Sequence, residues 1–170
     1  MFLLVAISVL LVSNSYGDSI GKRASDQSNN CLKAHNRLRA KHENTPRLVL
    51  DNVLTKSAQK YAEYLASNNL FKHSDSDSKY GENLFMLKGG VSKNICDEAS
   101  NTWYSEIKNY DYDEPGYAEE TGHFTQLVWR GSKKVGFGIA TKGKNTVVVA
   151  QYLPPGNMEE EFEENVTPLI

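Results

Sequence analysis

His123 and Glu106, in the second half of the sequence, are titratable residues that interrupt otherwise apolar patterns. His123 is the only titratable residue of segment 122–129, whose alternating aromatic and β-branched residues predict a strand of a mostly buried sheet. Glu106 shares one face of a predicted helix with residues at three- and four-residue steps: Cys96, Ala99, Trp103 and Tyr110. A buried carboxylate is costly unless a cation or a hydrogen-bond donor faces it. Together the two indicate a polar site, although a histidine at a strand end is by itself more often a hydrogen-bonded edge residue.

The sequence contains no pattern typical of an activated nucleophile. The motifs G-x-S-x-G and H-E-x-x-H are absent. Thr125, two residues beyond His123 on the same face of the predicted strand, is the best nucleophile, and it is a weak one. Both cysteines lie on apolar helix faces with no cationic surroundings implied. A secreted hydrolase that uses the polar site is therefore the alternative to a protein that only binds.

Three helices are predicted to position these residues. The first spans 28–41, and His35 lies on its apolar face, which favours a core histidine over a ligand. The second begins at the N-cap Asp51 and ends near Asn69. Its apolar face consists of Leu54, Ala58, Tyr61, Ala62, Leu65 and Ala66. The third spans 94–109 and carries Glu106.

Two further strands, 134–141 and 146–153, are predicted with a turn at 143–145 between them. The alternation of Gly136 and Gly138 indicates either close packing or a bulge. A polar segment between the second and third helices begins at His73 and includes Glu82 in a turn beside Gly81. Its Asp-Ser repeat is not an EF-hand loop, because the glycine and the required final glutamate are misplaced.

Length and composition indicate one extracellular domain. The 170-residue chain has a net charge of −2 and no basic cluster, which excludes a nucleic-acid partner. Residues 1–17 resemble a secretory signal peptide, because an apolar run too short to span a bilayer precedes small residues. A dibasic pair then ends either a short propeptide, 18–23, or simply a solvated segment, which leaves 24–170 as the mature domain. No later segment is predicted to span a membrane.

Two covalent features are predicted for the mature chain. Cys31 and Cys96 lie on core-facing helix stripes in a secreted protein, which predicts a disulfide, with two buried free thiols as the alternative. Asn165 begins the one standard N-glycosylation sequon, and the following Pro168 opposes its use.

Five segments of the sequence resemble the CAP superfamily of cysteine-rich secretory proteins, antigen 5 and pathogenesis-related 1 proteins. They occur in the family's order: AHNRLR (34–39), YGENLF (80–85), WYSEIKNYDY (103–112), GHFTQLVWRGS (122–132) and VVAQYLPPGN (148–157). The resemblance covers nearly all of the mature chain and is closest to the Golgi-associated pathogenesis-related branch. It implies an α+β fold, a three-layer α-β-α sandwich whose helices cover both faces of a central antiparallel sheet.

The resemblance also implies a cavity lined by two histidines and two glutamates. Carried over position by position, they are His73, Glu82, Glu106 and His123. Two imidazoles and two carboxylates suit zinc or another divalent cation, which would also relieve the repulsion between the carboxylates. The alternative is that the four groups satisfy one another by hydrogen bonds, with one histidine protonated and no metal bound.

The loop before segment 122–132 matches an aromatic spacing that, in sterol-exporting relatives, maps to the lipid-binding loop. Its residues are Tyr110, Tyr112 and Tyr117, whose flat rings could cover a sterol or another small lipid. The alternative is an ordinary loop whose tyrosines pack against the domain.

Three departures from the family limit what the resemblance implies. Ala150 stands where many members have a cysteine, no cysteine-rich extension follows, and the chain starts Met-Phe rather than with a lipidated Met-Gly. The sequence therefore predicts a secreted binding protein for a sterol or small lipid and a divalent cation, as in defence, venom or effector secretions. A hydrolase, or an effector that binds a protein target with a purely structural cavity, are the alternatives. We expect a monomer or a weak homodimer.

Overall fold

The computed structural model describes residues 26–75 and 79–170. The predicted signal peptide, 1–17, and the segment 18–23 lie outside the described residues. The helices are α1 (26–39), α2 (Asn52–Asn68), α3 (Ile95–Tyr104), α4 (Gly122–Val128) and α5 (Phe162–Asn165). The strands are β1 (Val49–Leu50), β2 (Gly81–Lys88), β3 (Lys134–Lys142) and β4 (Asn145–Leu153), and two 3-10 helices cover Ser105–Asn109 and Glu119–Thr121.

The four strands form one sheet in the order β1-β3-β4-β2. β4 is antiparallel to both β2 and β3, whereas the two-residue β1 runs parallel to β3. The predicted hairpin is confirmed, with Gly143 in the left-handed region at φ 61°. In this register Glu82 of β2 lies directly opposite Gln151 of β4.

The sheet has helices on both faces because side chains alternate along β4. Val147 and Val149 pack with residues of α2, namely Ala58, Ala62, Leu65 and Ala66. The intervening Val148 and Ala150 belong to a larger cluster on the other face, built with residues of α1, α3 and α4 such as Leu38, Trp103 and Phe124. The predicted three-layer α+β sandwich is therefore confirmed.

Helix α2 is capped and packed as its sequence predicts. Asp51 Oδ1 accepts hydrogen bonds from the amides of Val53 (2.9 Å) and Leu54 (3.1 Å), and the helix ends at Asn69 with φ 53°. A Cβ atom at Gly136 or Gly138 would overlap the α2 backbone, so these glycines allow the helix to lie directly on β3. Of the two interpretations of these glycines, close packing is correct.

A disulfide joins α1 to α3. Cys31 and Cys96 are bonded, with their Cα atoms 4.6 Å apart, so the predicted pairing is confirmed and the free-thiol alternative is excluded. One turn further along α1, His35 is completely buried, as predicted for a core histidine. None of the helices in the described ranges is long and apolar enough to cross a membrane.

Residues 122–128 form helix α4, so the strand predicted there is wrong. Five consecutive residues of this segment, 124–128, are buried, and they therefore cover every side of the helix. A segment buried all round shows no helical period, and its pattern cannot distinguish a helix from a strand. His123 consequently lies in the first turn of a helix, not at the end of a strand.

Other features differ from the predicted ones, beginning with the first helix, which spans 26–39 rather than 28–41. The third helix is α-helical only to Tyr104, and Glu106 lies in the 3-10 helix that follows, with 21% of its side chain exposed rather than buried. The predicted turn at Gly81-Glu82 is the start of strand β2. β1 was not predicted, because two residues are too few to show an alternating pattern.

Candidate functional site

Glu106 and His123 meet at the N-terminus of α4. Glu106 Oε1 lies 2.7 Å from His123 Nδ1, and Oε2 accepts hydrogen bonds from the amides of His123 and Phe124, each at 3.0 Å. The residue in the N-cap position, Thr121, makes no capping hydrogen bond. A carboxylate from the 3-10 helix Ser105–Asn109 therefore caps α4, where free amides and the helix dipole favour negative charge.

The other end of α4 is held by the buried Arg39 of α1. Its Nη1 donates to the carbonyl oxygens of Leu127 and Trp129, each at 2.9 Å. Its Nε donates to Pro46 O at 2.9 Å, and Nη2 donates to Ser132 O at 3.4 Å. Burial lowers the pKa of Arg39 to about 10, so the guanidinium stays charged at neutral pH. Opposite charges thus fix the seven-residue helix at its two ends.

The backbone of His123 is also tied to a buried polar network. Asn83 Nδ2 donates to His123 O at 2.9 Å and to the Tyr152 hydroxyl at 3.2 Å. That hydroxyl lies 2.9 Å from His35 Nε2. Asn83, Tyr152 and His35 are all fully or almost fully buried. The position of His123 is therefore set by three elements: the 3-10 helix Ser105–Asn109, β2 and β4.

His73 and Glu82 form the second histidine–glutamate pair. His73 Nδ1 lies 3.0 Å from Glu82 Oε1, which also accepts from the Ser74 amide at 2.9 Å. Glu82 Oε2 accepts from Ser74 Oγ at 2.8 Å and from Gln151 Nε2 at 3.0 Å. Burial raises the pKa of Glu82, but the hydrogen bonds from His73, Ser74 and Gln151 outweigh it and hold the pKa below its usual value.

The four residues thus form two pairs. Within the described residues no hydrogen bond joins one pair to the other, and no group of three or more His, Cys, Asp or Glu side chains could hold a metal ion. A cavity of 390 Å³ adjoins Glu106 and His123. Most of its wall is apolar: Phe71, Leu84, Phe85, Met86 and Trp103. Phe71, which lines this cavity, is two residues before His73 in the sequence. The second pair is therefore close in sequence to a residue of the cavity wall.

Both histidines are oriented in the same way. Each places Nδ1 against a carboxylate oxygen, whereas neither Nε2 has a hydrogen-bond partner among the described residues. A carboxylate next to Nδ1 favours the tautomer with the proton on that atom, which leaves the Nε2 lone pair available. The arrangement can therefore accept a proton or a metal ion at each Nε2.

The tyrosine loop is divided between the interior and the surface. Tyr110 is buried and packs edge-on against Tyr112 at 4.9 Å and against Phe124 at 5.6 Å between ring centroids. Burial raises the pKa of Tyr110 and of Tyr112 to about 12. Only Tyr117 is exposed, at 62%, and it packs beside Gly122. The three rings do not share one open surface.

Two other predicted site residues are engaged in structural hydrogen bonds. Thr125 is buried, and its hydroxyl donates to Asn157 Oδ1 at 2.7 Å. Asn165 is nearly buried, with Nδ2 donating to Glu161 O at 2.8 Å and Oδ1 accepting from the Gly131 amide at 2.8 Å. A glycan on Asn165 Nδ2 would have to replace the contact with Glu161.

Sequence reasoning missed Arg39 and Asn83, which hold α4 and His123. Both lie inside segments that resemble the CAP superfamily, 34–39 and 80–85. Arg39 follows the apolar Leu38 on α1, and a charged residue next to a core position is common on exposed helix faces. The four carbonyl oxygens that surround Arg39 become visible only in the three-dimensional structure.

Comparison with known proteins decides the family. The profile of the Cysteine-rich secretory protein family, CAP, matches residues 32–152. The chain belongs to this family. The predicted resemblance is thereby confirmed, and the two histidine–glutamate pairs and the cavity all belong to a CAP domain.

Two relatives of this CAP domain match over almost their full length. The chain is 46% identical to Golgi-associated plant pathogenesis-related protein 1 of Homo sapiens over 156 residues, which is 88% of this chain and 98% of the relative. It is 34% identical to pathogenesis-related protein 1A of Nicotiana tabacum, covering 94% of this chain and 92% of the relative. Among solved structures, NaASP2 with Zn2+ aligns with a TM-score of 0.69 and 24% identity, over 84% of this chain and 85% of that chain. This last similarity shows the fold.

Proposed function

We propose that this CAP domain is a secreted, non-enzymatic binding protein for a divalent cation, zinc in the first place, and for a sterol or other small apolar molecule. The observation that carries the proposal is the common orientation of His73 and His123. Each imidazole is fixed through Nδ1 by a glutamate and keeps Nε2 available. This is the arrangement that metal-binding histidines have in proteins.

The ligand types favour zinc over magnesium or calcium. Neutral imidazole nitrogen suits zinc, whereas Mg²⁺ and Ca²⁺ prefer several oxygen ligands. Glu82 and Glu106 are already occupied by hydrogen bonds from Nδ1 atoms and backbone amides, which supports an orienting role for them. With two imidazoles as protein ligands and water in the remaining positions, we expect weaker binding than at a structural site with four protein ligands.

The small apolar ligand fits the cavity beside His123 better than the tyrosine loop. The cavity has a volume of 390 Å³, within the range of about 300–1,000 Å³ typical of small-molecule sites, and a largely apolar wall. In the loop, two of the three tyrosine rings are packed into the domain. The hydroxyl of a sterol placed in the cavity would lie near the polar end formed by Glu106 and His123.

Secretion is supported by the disulfide and by the relatives. A disulfide between Cys31 and Cys96 forms and persists in an oxidising compartment. The similarity to pathogenesis-related proteins of plants supports a role in defence or in a related secretion. A short apolar N-terminal run in the sequence is consistent with export.

The site geometry does not favour a hydrolase. The Thr125 hydroxyl already donates to Asn157 and is buried, so it is not presented to a substrate. His123 Nδ1 is occupied by Glu106, and Nε2 has no nucleophile as a hydrogen-bond partner among the described residues. We therefore assign no catalytic residue.

Zinc calorimetry tests the cation part of the proposal. Titration at pH 7.5 should give saturable binding to the wild-type protein and none to the His73→Ala/His123→Ala variant. Lys72→Ala, an exposed neighbour of His73, is the matched control and should bind as the wild type does. Because a ligating imidazole must be neutral, affinity should fall as the pH is lowered. Equal heats from the wild type and the double variant would contradict the proposal.

A fluorescent sterol tests the apolar ligand and its location. Met86→Trp reduces the cavity volume and should weaken binding, whereas Tyr117→Ala changes only the exposed ring of the loop and should not. The reverse result would place the ligand on the tyrosine loop. A sterol that does not bind the wild-type protein would contradict this part and favour a protein target instead.

A further inference from the structure

A second cavity lies between α2, residues 74–75 and Tyr80. Its volume is 360 Å³, and it shares no lining residue with the cavity at His123. Three tyrosines line it, Tyr61, Tyr64 and Tyr80, together with Asp75 and Gln151. The proposed function assigns no ligand to this groove, which we call the α2 groove.

Gln151 is the most deeply buried residue of the α2 groove, at 2% exposure. Its Nε2 donates to Glu82 Oε2, and because a carboxylate only accepts, this contact fixes which end of the amide is the oxygen. The other end, Oε1, is buried and has no hydrogen-bond partner among the described residues. A buried acceptor of this kind is rare and favours a ligand that brings a donor.

Two carboxylates, Asp75 and Glu82, bring negative charge to the α2 groove. Asp75 is part of the lining, and Glu82 lies directly behind Gln151. The pKa of Tyr61 is raised to about 12, chiefly by burial but also by the charges of Glu82 and Asp75.

The opposing charges are Lys60, an exposed side chain at the rim, and the exposed Lys79, whose Nζ lies 5.3 Å from the ring centroid of Tyr80. Both ammonium groups are on flexible side chains, whereas the side chain of Glu82 is buried and held in place by hydrogen bonds, so the fixed charge at the groove is negative and favours a cation.

The aromatic side chains give the α2 groove flat faces. The rings of Tyr61 and Tyr64 are nearly parallel, with an interplanar angle of 21° and centroids 6.0 Å apart. Tyr61 is held in place because its hydroxyl donates to Lys72 O at 2.8 Å. Tyrosine faces attract organic cations and stack with flat rings.

We propose that the α2 groove binds a small organic ammonium ion carried on a flat ring. The ammonium group would donate to Gln151 Oε1 and pair with Asp75, while the ring would lie against the tyrosines. A bare metal ion is disfavoured, because no group of three or more metal-ligating side chains occurs among the described residues. A carboxylate-bearing ligand is disfavoured by Asp75 and Glu82. The groove adjoins the second histidine–glutamate pair, because its residues Ser74 and Gln151 both donate to Glu82. It shares no residue with the cavity at His123 and Glu106.

Three indole compounds that differ only in their side-chain head group test the charge requirement. Tryptamine carries an ammonium, tryptophol a neutral hydroxyl, and indole-3-acetate a carboxylate. Equilibrium dialysis at pH 7.5 should show saturable tryptamine binding, at least about tenfold weaker binding of tryptophol, and no binding of indole-3-acetate. Equal binding of tryptamine and tryptophol, or no tryptamine binding at about 1 mM, would overturn the proposal.

Variants at exposed positions test the location without endangering the fold. Asp75→Asn should weaken tryptamine binding about tenfold, and Lys60→Gln should strengthen it several-fold, because each changes one charge facing the ligand. Lys56→Gln, one helical turn earlier and outside the groove, is the matched control and should have no effect. Tryptamine affinity that does not change in Asp75→Asn, or that falls in His123→Ala, would place the ligand elsewhere and contradict the assignment.

Discussion

His35 is a neutral imidazole at the centre of the core. Its ring packs edge-on against Trp103 at 5.7 Å and against Phe137 at 4.7 Å between centroids. Burial, together with repulsion from the Arg39 charge, lowers the pKa of His35 to about 3. The native protein therefore resists protonation at a site that the unfolded chain protonates near pH 6.5.

This residue makes stability depend on pH below neutrality. Above pH 6.5 neither state binds the proton, and the full stability is present; as the pH falls from 6.5 towards 3, the unfolded state gains a proton that the native state does not. The free energy of unfolding should then fall by up to about 1.4 kcal/mol per pH unit from His35 alone. Urea unfolding at a series of pH values measures the slope.

The control for this prediction removes the titrating group. His35→Gln should be less stable than the wild type at pH 7, and its slope between pH 6.5 and 5 should be clearly smaller, so that the two stabilities converge as the pH falls. The slope does not vanish, because burial also lowers the pKa of His42. An unchanged slope in the variant would show that His35 is not the source of the dependence.

At the scale of elements, α4 is the part whose stability depends most on other parts of the chain. Seven residues are too few to form a stable helix alone. Glu106 caps its N-terminus, and Arg39 binds the carbonyl oxygens at its C-terminus. The two charges also determine where His123 is placed.

Replacing either charge should destabilise the domain through α4. Glu106→Ala removes a cap and should lower the free energy of unfolding by about 1–2 kcal/mol. Arg39→Lys should cost about 3 kcal/mol or more, because one ammonium cannot reach four carbonyl oxygens. Glu63→Ala, an exposed carboxylate on α2, is the control for loss of charge and should stay within about 0.5 kcal/mol of the wild type. Wild-type stability in Glu106→Ala would refute the capping role.

Helix α4 also shows which kind of helix cannot be predicted from the sequence. α2 was predictable because its cap, its apolar face and its terminal asparagine agree. α4 was not, because it is buried all round and its caps come from residues 17 and 88 positions away. Glu106 was flagged for a correct reason, a carboxylate among apolar residues, although the structure places it in a 3-10 helix and gives it donors.

At the scale of the whole molecule, the disulfide joins α1 to α3, two helices of the layer that also contains α4. It closes a loop of 65 residues between α1 and α3. In the chain-entropy account such a loop stabilises the native state by about 4 kcal/mol. Cys31→Ser/Cys96→Ser should therefore unfold at lower urea concentration, and reducing agent should shift the wild type to the same midpoint. Identical midpoints for the oxidised wild type and the variant would contradict a stabilising disulfide.

The overall architecture was more predictable than the site. The hairpin, α2 and the buried positions of Cys31, Cys96 and His35 follow from local patterns. The pairing of His73 with Glu82 and of His123 with Glu106 joins residues from separate elements. Family resemblance implied that these four residues share a cavity, but only the structure shows that they form two pairs with the same orientation.

The central claim is that His73 and His123 bind a cation through Nε2, and nitrogen-15 NMR of the imidazole rings tests it most directly. The protein contains four histidines, so His35 and His42 serve as internal controls. At pH 7.5 we expect both site histidines to carry the proton on Nδ1, and zinc should shift their Nε2 resonances while leaving those of His35 and His42 unchanged. Nε2 resonances of His73 and His123 that do not respond to zinc would contradict the account.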